Sequence, residues 1–175
     1  FTSVLDRSIE TSDIIKNEIL NNEKSRNMNI HTSWRLNEKH YGTLEGVPRQ
    51  FIRNNFGVKY TKKLRNDYYM YPPVLKEKEQ SEYKTYKNCY YESIKLGESK
   101  QQVFSRTIPY YENEILNSIK MGNFPLIVTH KHTARVLFKY LKDINDEEFE
   151  NFKLPEKKIF HITLDKDYKF KDVLQ

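Results

Sequence analysis

Tyrosine aside, the longest unbroken apolar run in the chain is only five residues, Phe124-Pro125-Leu126-Ile127-Val128, and it stops at Thr129-His130. A run of that size suits a strand and falls far short of the roughly 18 residues a membrane span requires. From Leu126 to Thr129 the residues do not alternate, so the pattern predicts a strand covered on both faces, as in parallel sheets. Arg135 to Leu141 reads as the helix that follows. His130 therefore stands between the carboxyl end of a strand and a helix, where open α/β sheets place their ligands.

The rest of the chain repeats that order. Phe1 to Leu5 reads as the end of a strand, and Ile9, Ile14, Ile15, Ile19 and Leu20 predict a helix over 7–20. Met28 to Trp34 is the next predicted strand, leading into an irregular loop that holds Gly42 and Gly46. Pro48 and Gly57 bracket a short helix, with a second over 59–67. Pro72 and Pro73 open a Lys-, Glu- and Tyr-rich stretch to Lys95, longer than a plain loop in a compact domain. Phe104, Ile108, Tyr111, Ile115 and Ile119 then mark a helix over 99–121 that closes at Gly122, with a kink expected at Pro109. Asn145 or Asp146 can cap a short helix through Phe152, and Lys158 to Leu164 alternates like a strand. This order predicts one α/β domain, a doubly wound, mostly parallel sheet flanked by helices, with a long irregular insertion.

Composition narrows the partners. The chain has 175 residues, 30 Lys+Arg against 24 Asp+Glu, and a single cysteine, Cys89. One cysteine makes neither an internal disulfide nor a cysteine zinc site, which points to a reducing compartment and a cytoplasmic location. The net charge of +6 favours anionic partners. The basic residues are scattered among acids without an aromatic-interleaved stripe, so neither nucleic acid nor membrane is an expected partner. His130-Lys131-His132 has no acidic ligand beside it and makes a poor first-row metal site.

Two features point to chemistry. A lone histidine is more often structural than catalytic, and it is position that singles out His130. In Leu36-x-Glu38-x-x-x-Gly42-x-x-Glu45-Gly46 a carboxylate lies between glycine-permitted turns, near Trp34 and Tyr41. Partial burial there raises a carboxyl pKa toward general-acid work, whereas a fully solvated loop would leave it ordinary.

This segment, Arg35 to Gly46, resembles the signature of the cofactor-dependent phosphoglycerate mutases, within the histidine phosphatase superfamily. The likeness covers nearly the whole chain. Thr2-Ser3-Val4-Leu5-Asp6-Arg7-Ser8-Ile9-Glu10-Thr11 resembles the family's second-strand motif, which gives Arg7 the role of clamping the transferred phosphoryl group. Glu38 falls on the catalytic acid and Tyr41 on a substrate-contacting tyrosine. Leu96-Gly97-Glu98-Ser99 and Ile108-Pro109-Tyr110-Tyr111 resemble the segment that opens the long helix. Thr129-His130 with Arg135 resembles the second-histidine motif, and Asn151 to Pro155 the stretch before the last strand. By spacing, Arg49 falls on a basic substrate-binding position and Arg65 on the first of a pair of clamping arginines.

The resemblance implies phosphoryl transfer through a phosphohistidine, interconverting 3-phosphoglycerate and 2-phosphoglycerate in glycolysis and gluconeogenesis. It implies 2,3-bisphosphoglycerate as phosphoryl donor, no metal, Arg7, Glu38 and His130 as catalytic residues, and a small phosphorylated anion as substrate. It leaves room for a homo-oligomer. Tyr41, Arg49, Arg65, Lys131 and His132 are the implied substrate-binding residues.

Four departures bear on this reading. The family's Arg-His-Gly nucleophile motif occurs nowhere in the sequence, and the expectation is one domain over 1–175 that lacks its first strand and nucleophile loop. Asn66 replaces the second clamping arginine, and Lys131 and His132 replace a glycine and an asparagine. They keep two alternatives open: a histidine phosphatase acting on a small phosphorylated metabolite, and a non-catalytic pseudoenzyme.

Overall fold

The computed structural model describes residues 1–20, 28–74, 97–155 and 158–174. Cys89 and most of the stretch predicted between Pro72 and Lys95 lie outside the described residues. The chain is an α/β protein. Helix α1 (Asp6–Leu20) follows the first segment, and α2 (Arg49–Asn66) follows two single 3₁₀ turns, Trp34–Leu36 and Gly42–Leu44. A long helical rod comprises α3 (Lys100–Tyr110), a π-turn (Tyr111–Ile115) and α4 (Leu116–Lys120). It is followed by α5 (Lys131–Leu141), α6 (Asp146–Asn151) and the strands β1 (His161–Leu164) and β2 (Phe170–Leu174).

Parallel pairing runs through Thr2, which bridges both Thr32 and Val128. Thr2 N donates to His31 O, Ser33 N to Thr2 O and Val128 N to Phe1 O, each at 2.9 Å. Among the described residues the only regular ladder is the antiparallel β1–β2 hairpin, so a continuous doubly wound sheet is not formed there. Side chains explain why the predicted strand at 126–129 stays a single bridge. Phe1 N donates to Leu126 O at 2.8 Å as one rung of the pairing, but Val128 O accepts from Thr2 Oγ1 at 3.0 Å and from Ser8 Oγ at 3.2 Å. Hydroxyls thus take the Val128 carbonyl, a place that the next rung of a ladder would fill. The segment is not covered on both faces as predicted: Leu126 is 40% exposed.

Helix α1 begins where predicted but turns a different face inward. Ser8 and Ser12 are buried while Ile14 is 63% exposed, because Ser8 must reach Val128. In α2, Gly57 adopts φ 85° and ψ 163° and divides the helix into the two predicted pieces. Ser99 caps α3 through a reciprocal box with Gln102. Past Pro109 the rod stays continuous: the wider π-turn follows, in which Leu116 N–H donates to Tyr111 O, five residues back. Asn145 caps α6 by accepting from Glu148 N–H at 2.9 Å. The last predicted strand begins at His161 rather than Lys158.

The core has three centres. Leu36, Ile108, Tyr111, Ile115 and Leu137 form the first, Tyr68, Val103, Val136 and Phe149 the second, and Leu44, Ile52 and Leu64 the third. Helix α3 packs on α5, and both face the loop at 34–38 through Leu36. No helix among the described residues is long and apolar enough to cross a membrane.

Candidate active site

The loop carrying Glu38 has almost no regular structure, yet each of its first carbonyls is held by a side chain from α3, α5 or the segment leading into α5. Arg35 O accepts from Arg106 Nη1 at 2.7 Å and from Thr107 Oγ1 at 3.0 Å. Leu36 O accepts from Thr129 Oγ1 at 3.0 Å, and Asn37 O from Arg106 Nη2 at 2.8 Å and Thr133 Oγ1 at 2.6 Å. Glu98 anchors the arginine, with Arg106 Nε to Oε1 at 2.7 Å and Nη2 to Oε2 at 3.0 Å. Glu98 also meets the loop, since its Oε2 accepts from His40 N–H at 3.2 Å. Gly42 completes the geometry at φ +60°, and a Cβ there would lie 1.8 Å from Pro73 O. Only glycine fits that approach.

Glu38 Oε1 accepts two backbone N–H groups, from Lys39 at 2.8 Å and from His132 at 3.1 Å. Burial raises its pKa above the usual carboxylate value, against the opposing pull of those hydrogen bonds and of Arg106 and Arg7. A carboxyl in this state holds its proton more readily and can give it up, as general-acid chemistry requires.

His130 caps α5 and shares a 2.8 Å hydrogen bond through Nε2 with Ser3 Oγ. Burial, then the charges of Arg7 and Arg106, depresses its pKa to about 4, so the imidazole is neutral at pH 7. Arg7 is exposed at the second position of α1, and its charge acts on both Glu38 and His130. The three sequence-predicted catalytic residues thus lie on one side of the molecule, at the carboxyl ends of the paired segments. A cavity of about 480 Å³ opens at the opposite, amino end, lined by Phe1, Met28, His31, Phe124 and Leu126. It holds none of the predicted site residues.

Behind Glu38 the site turns cationic. The Tyr41 hydroxyl and His132 Nε2 share a 2.8 Å hydrogen bond, with His132 3% exposed. Burial raises the Tyr41 phenol, and Arg65 and Arg135 act on it in the opposite sense. Lys39 and Lys100 are buried and donate to carbonyls at the end of α2, Leu64 O at 3.0 Å and Asp67 O at 3.3 Å. Burial lowers the first to about 8 and the second to about 6. Arg135 Nη2 donates to Phe149 O at 2.7 Å, with its guanidinium 4.8 Å from that ring.

The structure gathers Glu38, His130, Tyr41, His132 and Arg65, with Arg7 at the margin. Arg49 is not brought in: it is exposed at the start of α2, and among the described residues no hydrogen bond or ion pair ties it to the cluster. Lys131 is exposed at the first position of α5. Sequence reasoning missed Arg106, Glu98, Lys39 and Lys100, whose roles depend on partners far away in the chain. Among the described residues no group of three or more His, Cys, Asp or Glu is placed to hold a metal ion.

Residues 72–174 match the family model described as the histidine phosphatase superfamily, branch 1. The chain is 34% identical over 176 residues to a 2,3-bisphosphoglycerate-dependent phosphoglycerate mutase of Lachnoclostridium phytofermentans, spanning 97% of this chain and 68% of that relative. It is 31% identical over 157 residues to the protein of the same name from Staphylococcus aureus, spanning 88% of this chain and 67% of the relative.

Proposed function

Because the chain belongs to the histidine phosphatase superfamily, we propose that it takes part in phosphoryl transfer interconverting 3-phosphoglycerate and 2-phosphoglycerate. The observation that carries this reading is Glu38: a partly buried carboxyl with a raised pKa, fixed by two backbone N–H groups next to a histidine and inside a ring of cations. An enzyme that only binds an anion has no use for such an acid. The proposal takes its phosphorylated histidine from sequence outside these 175 residues. It reads the bridges at Thr2, Thr32 and Val128 as the described part of a doubly wound sheet in a single domain, and takes the protein as cytoplasmic.

The residues divide the work by charge. Arg7 offers a planar fork to the equatorial oxygens of the phosphoryl group, where negative charge grows in the transition state. His130 is neutral in the free site. A phosphoryl dianion beside it counters the fields of Arg7 and Arg106 and favours its protonation, so its support strengthens as the anion arrives. Glu38 gives its proton to the departing oxygen and afterwards accepts one from the incoming hydroxyl. The cationic set fits a bisphosphorylated acid: Arg65, Lys39 and Arg135 converge on Tyr41 and His132 and, among the described residues, have no carboxylate within ion-pair distance. Those residues would hold 2,3-bisphosphoglycerate, which when bound supplies the phosphoryl group.

The test is direct. Full-length protein is incubated with 3-phosphoglycerate and catalytic 2,3-bisphosphoglycerate, and 2-phosphoglycerate is quantified against free phosphate. Isomerised product in excess supports the mutase. Free phosphate alone moves the assignment to the phosphatase alternative, which Asn66 favours by removing a bidentate anion contact. No turnover leaves the non-catalytic alternative.

A further inference from the structure

We propose that His132 is a positioning residue that occupies the phenolic oxygen of Tyr41 with its own Nε2–H, and so turns the tyrosine's hydroxyl proton outward toward the anionic group of the substrate. The inference rests on the reading above that the site takes a phosphorylated anion, and deepens it by assigning a direction to one hydrogen bond.

The geometry begins with an imbalance. His132 Nε2 lies 2.8 Å from the Tyr41 hydroxyl, whereas Nδ1 is buried and meets no partner among the described residues. A neutral imidazole carries its proton on one nitrogen only. With the proton on Nδ1, a buried N–H would go unpaired inside a positive field, and the tyrosine would spend its own proton on the histidine. With the proton on Nε2, the orphan at Nδ1 is a lone pair, which surrounding cations tolerate. Three standing cations face this ring at pH 7, Arg135 on α5 and Lys39 and Arg65 from the loop and the end of α2, and Lys100 on α3 adds a fourth charge when it is protonated. Burial together with those charges holds the ring neutral, well below the ordinary histidine pKa.

Tyr41 then accepts from His132 and keeps its hydroxyl proton to give. Burial also keeps the phenol protonated, so the donor is present across the working pH range. Arg65 and Arg135 act on the same phenol, so the donated proton and two guanidinium charges favour one anion. The contact of His132 with Glu38 is through backbone N–H, which every side chain at this position retains. Replacing the imidazole therefore acts on anion binding and spares the acid.

Two measurements test this on the chain uniformly labelled with ¹⁵N. Long-range ¹H–¹⁵N correlation, with the His132 signal assigned by its loss in His132→Gln, should show a neutral Nε2–H tautomer from pH 5 to pH 8. Binding of inorganic phosphate, followed by calorimetry, should weaken about tenfold in Tyr41→Phe and about tenfold in His132→Leu, the scale of one lost charge-assisted hydrogen bond. His132→Gln, whose amide can donate to the phenolic oxygen, should restore most of the loss. The double variant Tyr41→Phe/His132→Leu should bind no worse than either single one. An Nδ1–H tautomer overturns the proposal, as do additive losses in the double variant or a Gln variant as weak as the Leu variant. The tautomer is read without substrate, so a failed mutase assay with an intact Nε2–H signal counts against the function proposed above and not against this assignment.

Discussion

Two groups of buried charge flank the Glu38 loop, and they are built on opposite terms. On the α3 side, Arg106 faces Glu98 at 2.7 Å and spends its remaining donors on the carbonyls of Arg35 and Asn37. Behind Tyr41, Lys39, Lys100 and Arg135 have carbonyls and aromatic faces for partners and, among the described residues, no carboxylate within ion-pair distance. The first group is cancelled where it stands, so it acts as a tie that fixes the loop. In the second, carboxylates such as Glu98, Glu38 and Asp67 act only from a distance, so part of the charge is left over, and it either attracts an anion or is shed as a proton: Lys100, at about 6, is neutral at pH 7. A buried charge is thus scaffold or recognition element according to whether the protein supplies its counter-ion.

The comparison can be broken most sharply at the acid that lies between the two groups. Glu38→Gln should lower turnover about 10²–10⁴-fold on phosphate esters with poor leaving groups and far less on an activated aryl phosphate, which departs without a proton. Equal losses on both substrates, in steady-state assays of the full-length protein, would remove Glu38 from the acid role.

Next in size is the tie itself. Glu98→Gln leaves Arg106 buried without its counter-charge, a change that typically destabilises by about 3–5 kcal/mol. Urea unfolding should show a lower midpoint, and proteolysis should find the loop at 34–46 sooner than in the parent. If stability is unchanged, the pair is not the tie described above.

Gly42→Ala should cost about 2 kcal/mol or more, since the new methyl meets Pro73 O and the backbone is held at positive φ. Thermal unfolding measures it. This sharpens the contrast by showing that the loop depends on backbone fit as well as on charge.

The smallest effect belongs to the uncancelled side. Lys100→Met should change stability at pH 7 by no more than about 1 kcal/mol in either direction, because an apolar residue of similar volume replaces a lysine that, among the described residues, has no carboxylate within ion-pair distance. The signature is in the pH dependence. The folded pKa of about 6 lies below the ordinary lysine value of 10.5, so between them the unfolded chain binds more protons and stability rises with pH. Below pH 6 the folded state bears the full cost of a buried ammonium. The methionine variant should lack this slope, and its advantage over the parent should shrink from pH 6 to pH 9 in urea titrations.

Much of this was legible in the sequence wherever a signal is local. The apolar steps from Phe104 to Ile119, the break at Gly57 and the cap at Asn145 each depend on residues a few positions apart, and each is present. Glu38, Tyr41 and His130 could be picked out because a glycine-bounded loop and a strand end are local signals too. Arg106 could not: it sits beside the buried stripe of α3 with nothing in its neighbourhood to say that it reaches back to Arg35 O. Lys39 and Lys100 look like surface lysines until α2 folds its carbonyl end over them. The interrupted pairing at 126–129 was hidden for a related reason. Its cause is hydroxyls of Thr2 and Ser8, residues more than a hundred positions away.

The π-turn at Tyr111–Ile115 has a bearing on how this chain tolerates changes of length. A turn with five-residue hydrogen-bond spacing is an α-helix that has absorbed one extra residue, with the register kept on both sides. Loss of a single solvent-facing residue such as Asn113 would let the turn tighten to ordinary α geometry, leaving Ile108 and Ile119 on the faces they now occupy. The same deletion in α5 would swing everything beyond it by about 100° and pull the buried side of that helix out of the core. The rod therefore contains one place where the gene can shorten without the fold having to be rebuilt around it.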